Sequence, residues 1–442
     1  MNYSDSERIS TYIEALGYEP SEKFDGSDLV IFNTCSIKQK AEDKALGYMK
    51  QMKELKRTHR NLTVVITGCM VRTSSSRYSS KRDPLLSRVE ELDIALRIEE
   101  LPKFADLMRE INPEYAITSV KEENLEDYFK IEANHSSKAQ AFVPVSSGCD
   151  KFCTYCIVPY SRGREKSRSI EDIYNESAEL VSKGCKEITL LGQTVNSYGL
   201  GIYDKINKSF ATVEAGKEPF VALLEKIDSL KSQGLERLRF TSPHPKDMTS
   251  QLIDAMASLP TMMPYLHLPV QSGDNRTLKR MNRTYTIERY LEIIEELRKK
   301  IPGISISTDI IVGFCGETDD EFTNTYNMFK EVCFDHAYIS QYSERIGTFA
   351  SKHITDDVPR EVKAERWHKL NDLLKDTSNQ QLSRFVDTEV PVLVESQREN
   401  ECLGRTPHFK TVKFKSNKSL VGRTALVKIN KAKDWMLFGE MA

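Results

Sequence analysis

Three cysteines fall within eight residues, Cys149, Cys153 and Cys156, in the stretch SSGCDKFCTYC (146–156). Thiols packed this closely suit metal ligation or redox chemistry. The chain holds nine cysteines, and its opening, MNYSDSERIS, is polar and acidic with no apolar leader. It has no apolar run of the roughly eighteen residues a membrane span needs. These features predict a cytoplasmic protein with no membrane segment, where cysteines serve metals or catalysis more often than disulfides. A closed zinc site takes four ligands, but the x3, x2 spacing supplies three, and no Cys or His follows within twenty residues. A four-iron, four-sulfur cluster fits that count: three thiolates leave one iron open to chelate a small ligand.

Two further thiols stand directly after apolar strand-like runs, Cys35 after DLVIFNT (28–34) and Cys69 after LTVVITG (62–68). A helical pattern over 41–56, with Ala45, Met49 and Met52 on one face, separates them. Ligands gather at the carboxyl ends of strands in open α/β sheets, so this pair reads as one shared site; two buried strand-end cysteines are the plainer alternative. RTSSSRYSSKRD (72–83) reads as a basic, mobile loop, and the polar stretch 121–138 as a linker.

The middle of the chain alternates strand and helix. Strands are expected at 141–145, 187–192, 235–240, 265–270, 304–312 and 336–342, with helices such as 169–184 and 287–300 between them. Six βα units predict a parallel barrel or part of one, with chemistry at the carboxyl ends of its strands. Those ends are polar in sequence: SSGCDKFCTYC, GQTVNSYG, TSPHP, QSGDN and GFCGET. TSPHP reads equally well as a simple turn. From about Arg384 the pattern changes to short alternating strands, a small β barrel. The whole chain carries a net charge of −2, so any nucleic-acid affinity must come from a local patch. The stretch 401–433 supplies one, with Arg405, Lys410, Lys413 and Lys415 interleaved with His408, Phe409 and Phe414. Such a face suits RNA; a solvated basic surface is the alternative.

The CxxxCxxC pattern after a strand, at the head of six βα units, resembles the radical S-adenosylmethionine (SAM) superfamily. The resemblance implies that SAM chelates the open iron, receives one electron and yields a radical that abstracts an unreactive hydrogen. It also implies an aromatic residue near the adenine at Tyr155, backbone approach to the SAM amino group at Gly192 and Gln193, and further contacts from Asp309, Gly313 and Glu317. Arg162, Arg164 and Arg168 place positive charge beside the cluster, to hold a carboxylate or phosphate, or lie on a solvated basic loop.

AFVPVSSGCDKFCTYCIVPYSRGREKSR, LLGQTVNSYG, RLRFTSPHPKDM, HLPVQSGDNRTLKRMNRTYT, ISTDIIVGFCGET and YSERIGTFAS closely resemble the MiaB-type methylthiotransferases over nearly the whole chain. That resemblance implies a fold of three parts: an α/β methylthiotransferase domain (1–120), a linker (121–138), a radical SAM partial (β/α)6 barrel (139–375) and a TRAM β barrel (380–442). It implies sulfur and methyl insertion at C2 of N6-(dimethylallyl)adenosine beside a tRNA anticodon. Relatives that act on threonylcarbamoyladenosine or on a ribosomal protein are the nearest alternatives, and a non-catalytic iron–sulfur RNA-binding protein is another. Two [4Fe-4S] clusters are implied, the auxiliary one on three N-terminal cysteines, of which Cys35 and Cys69 match the second and third. The chain opens inside the family's first motif, just after its first auxiliary cysteine; a start assigned too late, a substitute ligand or a degenerate cluster would each account for that. Expected partners are tRNA, gripped through Arg405, Lys410, Lys413 and Lys415, an electron donor such as flavodoxin or ferredoxin, and iron–sulfur assembly machinery, with the protein a monomer. Cys315 replaces the family's usual proline, while Cys185, Cys333 and Cys402 read as ordinary cysteines.

Overall fold

The structure is a computed structural model that describes residues 1–34, 39–113, 128–131, 133–135, 137, 139–211, 213–433 and 435–442, with the side chains of 39–41 excepted. The chain divides into two compact units, Met1–Ser136 with Cys156–Arg164, and Ser137–Tyr155 with Glu165–Ala442.

In the first unit the apolar runs become the strands Leu29–Thr34 and Thr63–Gly68, parallel and in register from Leu29↔Thr63 to Thr34↔Gly68. Ile94–Leu96 extends this sheet in parallel, and Ser75–Ser76 closes its edge antiparallel. Thr63–Gly68 is buried at every position, as a central strand covered on both faces should be. One face packs on Ile9 and Tyr12 of the helix Asn2–Ala15, the other on Met49 and Met52 of the helix Gln39–Thr58.

Two expectations are corrected here. The serine-rich stretch is not a mobile loop at its centre: Ser75 and Ser76 are buried, and Ser76 Oγ donates to Glu110 Oε2 at 2.5 Å. Its hydroxyls satisfy one another and nearby carboxylates, which composition alone does not reveal. Nor is 121–138 wholly linker. Tyr128 and Ile131 are buried in the core of this unit, Tyr128 Oη donates to Asp5, and Arg8 donates to the Ile131 carbonyl.

The second unit holds six parallel strands. Gln140–Pro144, Glu187–Leu191 and Arg237–Phe240 form one three-stranded sheet; Tyr265–His267, Ser305–Val312 and His336–Gln341 form another. A parallel bridge between Leu238 and Met262 joins them, so the expected strand order is realised as an open barrel of six. The intervening helices are stopped at their starts by Ser169, Thr249, Thr286 and Thr318, whose hydroxyls accept backbone N–H groups, each cap contributing about 1 kcal/mol. The helix Arg360–Ser383 packs on the strands His336–Gln341 and Ser305–Val312. It leads into a closed five-stranded barrel in the order Glu389–Arg398, Glu401–Arg405, Thr411–Lys415, Met436–Met441, Thr424–Lys433.

That barrel is fused to the six-stranded core. Arg237 donates to the carbonyls of Arg405 and Pro391 at 2.8 and 3.2 Å, and Arg239 to those of Pro407 and Thr406 at 2.9 and 3.1 Å. Phe409 stacks on Tyr265 with centroids 4.7 Å apart, and Lys410 Nζ pairs with Asp335 at 2.5 Å. Among the described residues no helix is long and apolar enough to cross a membrane.

Candidate active site

The three-cysteine loop is held by backbone before any ligand is considered. Thr154 N–H donates to the Met281 carbonyl at 3.0 Å, Thr154 Oγ1 to that of Arg280 at 2.9 Å, and Asn282 Nδ2 to that of Phe152 at 2.9 Å. Ala350 N–H donates to the Thr154 carbonyl at 2.8 Å. Phe152 sits at φ 49°, and Ser242 and Gln271 at 59° and 72°, all past carboxyl ends of barrel strands, while Asn282, at 56°, follows the helix Asn275–Arg280. Left-handed backbone at such residues costs energy that the surroundings must offset, and it collects at functional sites.

N–H donors are aimed at two of the sulfurs. Lys151 N lies 3.5 Å from Cys149 Sγ, and Thr194 Oγ1 3.9 Å from it. Arg283 Nη1 lies 3.6 Å from Cys153 Sγ; the same guanidinium donates to the Pro269 carbonyl at 2.8 Å and to Tyr285 Oη at 3.0 Å. Burial, above all, pushes the Cys149 thiol up to about 12, so a bound cation is what would make it a ligand at neutral pH. Cys156 is half-buried and begins the short stretch grouped with the first unit.

The residues fit an iron–sulfur cluster and its small-molecule ligand. Among the described residues no three Cys, His, Asp or Glu side chains converge on a single metal ion, and a cubane, which offers each sulfur a separate iron, requires no such convergence. Ser146 Oγ, Glu165 Oε1 and His244 Nε2 are buried without a hydrogen-bond partner, the mark of a site that awaits polar groups. A Cβ on Gly192 would lie 2.9 Å from Ser146 Oγ and from Val195 Cα, so glycine keeps the backbone accessible there.

Other expected site residues are dispersed. Tyr155 meets Phe314 edge-on at 6.3 Å, and Gln193 is half-buried. Asp309 faces His267 Nε2 at 3.5 Å. Gly313 has a packing reason: a Cβ would lie 2.3 Å from Lys363 Cγ, and its N–H donates to Glu317 Oε2 at 2.7 Å. Glu317 is held by Arg366 at 2.8 Å. Of the three arginines only Arg164 is exposed. Arg168 is spent on the Pro144 carbonyl and Glu176, and Arg162 on Asp5.

Sequence reasoning passed over Thr194, Glu165, Arg283 and His244. Arg283 sits in MNRTYT and His244 in TSPHP, both noticed as text but given no role. His244 is a turn residue as well, accepting at Nδ1 from Lys246 N–H at 3.2 Å. Burial and the charges of Arg283 and Lys151 hold it well below its ordinary value. It therefore stays neutral, with the proton on Nε2. Glu165, burial first among the causes, is raised to about 8 and accepts from Thr194 Oγ1 at 2.9 Å.

In the first unit Cys69 is buried, and its N–H donates to the Thr34 carbonyl at 3.0 Å, so the two strand ends lie side by side. Cys35 lies outside the described residues. Arg162 is buried near Asp5 and Cys69, with Nε and Nη1 unpartnered, as are Ser4 Oγ and Thr67 Oγ1. Such a set fits an anionic polar group beside Cys69.

The expected RNA residues part company. Lys410 is corrected: it is buried, its ammonium committed to Asp335, and no charge is left for a phosphate. Arg405 pairs with Glu395 at 3.2 Å and lies over the Phe409 ring at 4.1 Å. Lys413 pairs with Glu401 at 2.9 Å, and Lys415 is exposed. Cys185, Cys315 and Cys402 are buried core thiols; Cys333 is half-buried.

Comparison with known proteins accords with this organisation. Residues 143–329 match the radical SAM superfamily, 1–86 the uncharacterized protein family UPF0004, and 384–442 the TRAM domain. The fold also matches solved structures of the radical S-adenosylmethionine methyltransferase TsrM from Kitasatospora setae. TM-scores are 0.50 and 0.51 at 14% identity, over 75% and 78% of this chain and 64% and 66% of that one. Fold and site thus define a radical SAM enzyme with a C-terminal TRAM barrel. Over its full length the chain is 40% identical to the tRNA-2-methylthio-N(6)-dimethylallyladenosine synthase of Thermoanaerobacter sp. (strain X514), covering 90% of that protein. It is 39% identical to that of Clostridium botulinum (strain Alaska E43 / Type E3), covering 93%. The chain belongs to the tRNA-2-methylthio-N(6)-dimethylallyladenosine synthase family of tRNA methylthiotransferases.

Proposed function

We propose that this chain inserts sulfur and a methyl group at C2 of N6-(dimethylallyl)adenosine beside a tRNA anticodon. The observation that carries the reading is the pinned three-cysteine loop with N–H donors aimed at two of its sulfurs, in a chain similar to these synthases from end to end. Bound to Cys149, Cys153 and Cys156, a [4Fe-4S] cluster with SAM supplies one-electron chemistry that activates an unreactive C–H bond. The protein's share is placement. Arg283 sets a positive charge against Cys153 Sγ, and the Thr194 hydroxyl and the Lys151 amide aim hydrogen-bond donors at Cys149 Sγ, which tunes a cluster through its sulfurs. Gly192 leaves backbone room beside Ser146 Oγ, and Glu165 and His244 offer buried polar atoms to whatever enters. Tyr155, Gln193, Asp309, Gly313 and Arg164 remain assigned to SAM by resemblance.

A second cluster, on Cys35, Cys69 and a further ligand, would serve as the sulfur source, with Arg162 to balance its charge. A flavodoxin- or ferredoxin-type donor would supply electrons, and iron–sulfur assembly machinery the clusters. The compartment would be the cytoplasm, where tRNA is found, and the protein a monomer. The test is mass analysis of nucleosides from tRNA treated with the anaerobically reconstituted enzyme, reductant and SAM. The reading predicts conversion of N6-(dimethylallyl)adenosine to its 2-methylthio form; conversion of threonylcarbamoyladenosine instead would refute it.

A further inference from the structure

The short helix Ile202–Asn207 reverses the usual order of a surface helix. Its one carboxylate, Asp204, is buried, and Asp204 Oδ1 accepts the Ser167 N–H at 3.4 Å. Its apolar side chains stand outside. Ile202 is 53% exposed and Ile206 75%, with Tyr203 and the preceding Leu200 exposed as well. A surface helix normally turns such side chains to the core, and an apolar patch left open on a folded protein marks a place where something docks.

The patch adjoins the cysteine loop. Ile202 N–H donates to Asp150 Oδ2 at 3.1 Å, and Asp150 directly follows Cys149. The other oxygen, Asp150 Oδ1, accepts from the Glu165 N–H at 3.3 Å. One side-chain hydrogen bond and one peptide unit thus join the start of the helix to an expected cluster ligand. The rim of the patch is cationic. Lys166, Lys205 and Lys208 are exposed and have no ion-pair partner among the described residues. The Lys166 ammonium lies 5.0 Å from the centre of the Tyr203 ring. From Asn196 to Ala211 the one acidic residue is the buried Asp204, so that segment offers no exposed carboxylate to offset the lysines.

We propose that this patch docks an acidic, low-potential electron-carrier protein that delivers electrons singly to the cluster at Cys149, Cys153 and Cys156. Leu200, Ile202 and Ile206 meet an apolar spot on the carrier, and the three lysines meet its acidic rim. The carrier's flavin or iron–sulfur centre is oxidised by one electron and the cluster is reduced by one; no bond forms or breaks. Four apolar side chains supply far less than the roughly 800 Å² per partner of a stable interface, and brief redox encounters occupy that low end. A second copy of this chain is a poor occupant, because a two-fold contact sets the lysines against one another. RNA has a use for lysines but none for two isoleucines and a leucine. The inference rests on the reading that the cysteine loop holds a cluster fed by an electron carrier, and it names the surface that receives that carrier.

Anaerobically reconstituted full-length protein is given SAM and one of three reductants: reduced flavodoxin, reduced ferredoxin or dithionite. Two double variants are compared with wild type, Ile202→Ser with Ile206→Ser, and Lys205→Glu with Lys208→Glu. Each is expected to bind whichever carrier reduces the wild type roughly ten-fold more weakly in calorimetry. Carrier-driven release of 5′-deoxyadenosine should slow to match, while dithionite-driven release and melting temperature stay unchanged. The lysine variant should also lose most of the salt dependence of carrier binding. Carrier affinity and rate equal to wild type in both variants would overturn the surface, as would a wild type driven by dithionite but by neither carrier. Loss of the dithionite reaction in the variants would overturn it too, since the helix would then serve the cysteine loop itself. Weakened binding of an anticodon stem-loop RNA, with carrier binding intact, would give the patch to RNA instead. No release from wild type with any reductant would overturn the cluster reading and the surface with it.

Discussion

The two faces of the C-terminal barrel have similar composition and opposite fates. The turn around 405–410 carries Arg405, His408, Phe409 and Lys410, and it is consumed in the joint with the core: carbonyls accept from Arg237 and Arg239, the phenyl ring stacks, and the ammonium is buried on Asp335. The hairpin of Thr424–Lys433 and Met436–Met441 carries Lys428, Lys431 and Trp435, and presents them to solvent. Lysines and aromatic rings alone therefore do not mark an RNA face. What decides is whether a charge has a buried counter-charge, since a buried ammonium without one would lose several kcal/mol to desolvation.

The largest effect should come from breaking the joint. Lys410→Met leaves Asp335 with Arg384 as its remaining cation, at 3.3 Å. Removing one partner of a buried pair costs roughly 3–5 kcal/mol, and the remaining arginine favours the lower end. Thermal or urea unfolding should show that loss, while the salt dependence of RNA binding stays as it was. If Lys410→Met instead keeps its stability and flattens the salt dependence, the two faces have been assigned the wrong way round.

A smaller effect should come from pH. His408, desolvated and beside Arg384, Lys410 and Arg239 with Asp335 opposing them, is lowered to about 4, against an unfolded value of about 6.5. The unfolded chain takes up the proton first. Stability at this joint should therefore be full above about pH 6.5 and fall as the pH drops toward about 4. His408→Gln should flatten that stretch of a stability–pH curve; an unchanged curve would remove His408 from the joint's acid response. The smallest effect belongs to an exposed charge. Lys415→Met should leave melting within about 0.5 kcal/mol and reduce the salt slope of RNA binding by about one. A large loss of stability would mean that Lys415, too, is structural.

Much of the fold was legible because local pattern dictates it. The strand read over 187–192 is realised as Glu187–Leu191, and the helical spacings over 169–184 and 287–300 as the helices Ile170–Ser182 and Ile287–Lys300. The cysteine loop was legible because its spacing is itself the chemistry. Long-range allocation was not: nothing near Lys410 reveals that Asp335 lies across from it, or that Arg283, some 130 residues from Cys153, points at that sulfur. The serine stretch misled for the same reason, its buried hydroxyls depending on Glu110 and Asp83.

The most direct test is spectroscopic. Anaerobically reconstituted protein in which Cys35 and Cys69 are replaced by alanine should retain one reducible [4Fe-4S] cluster, and its electron paramagnetic resonance spectrum should change when SAM is added, with 5′-deoxyadenosine released under reduction. Replacing Cys153 as well should abolish all three signals. A cluster whose spectrum ignores SAM, or a site that retains only zinc, would contradict the account.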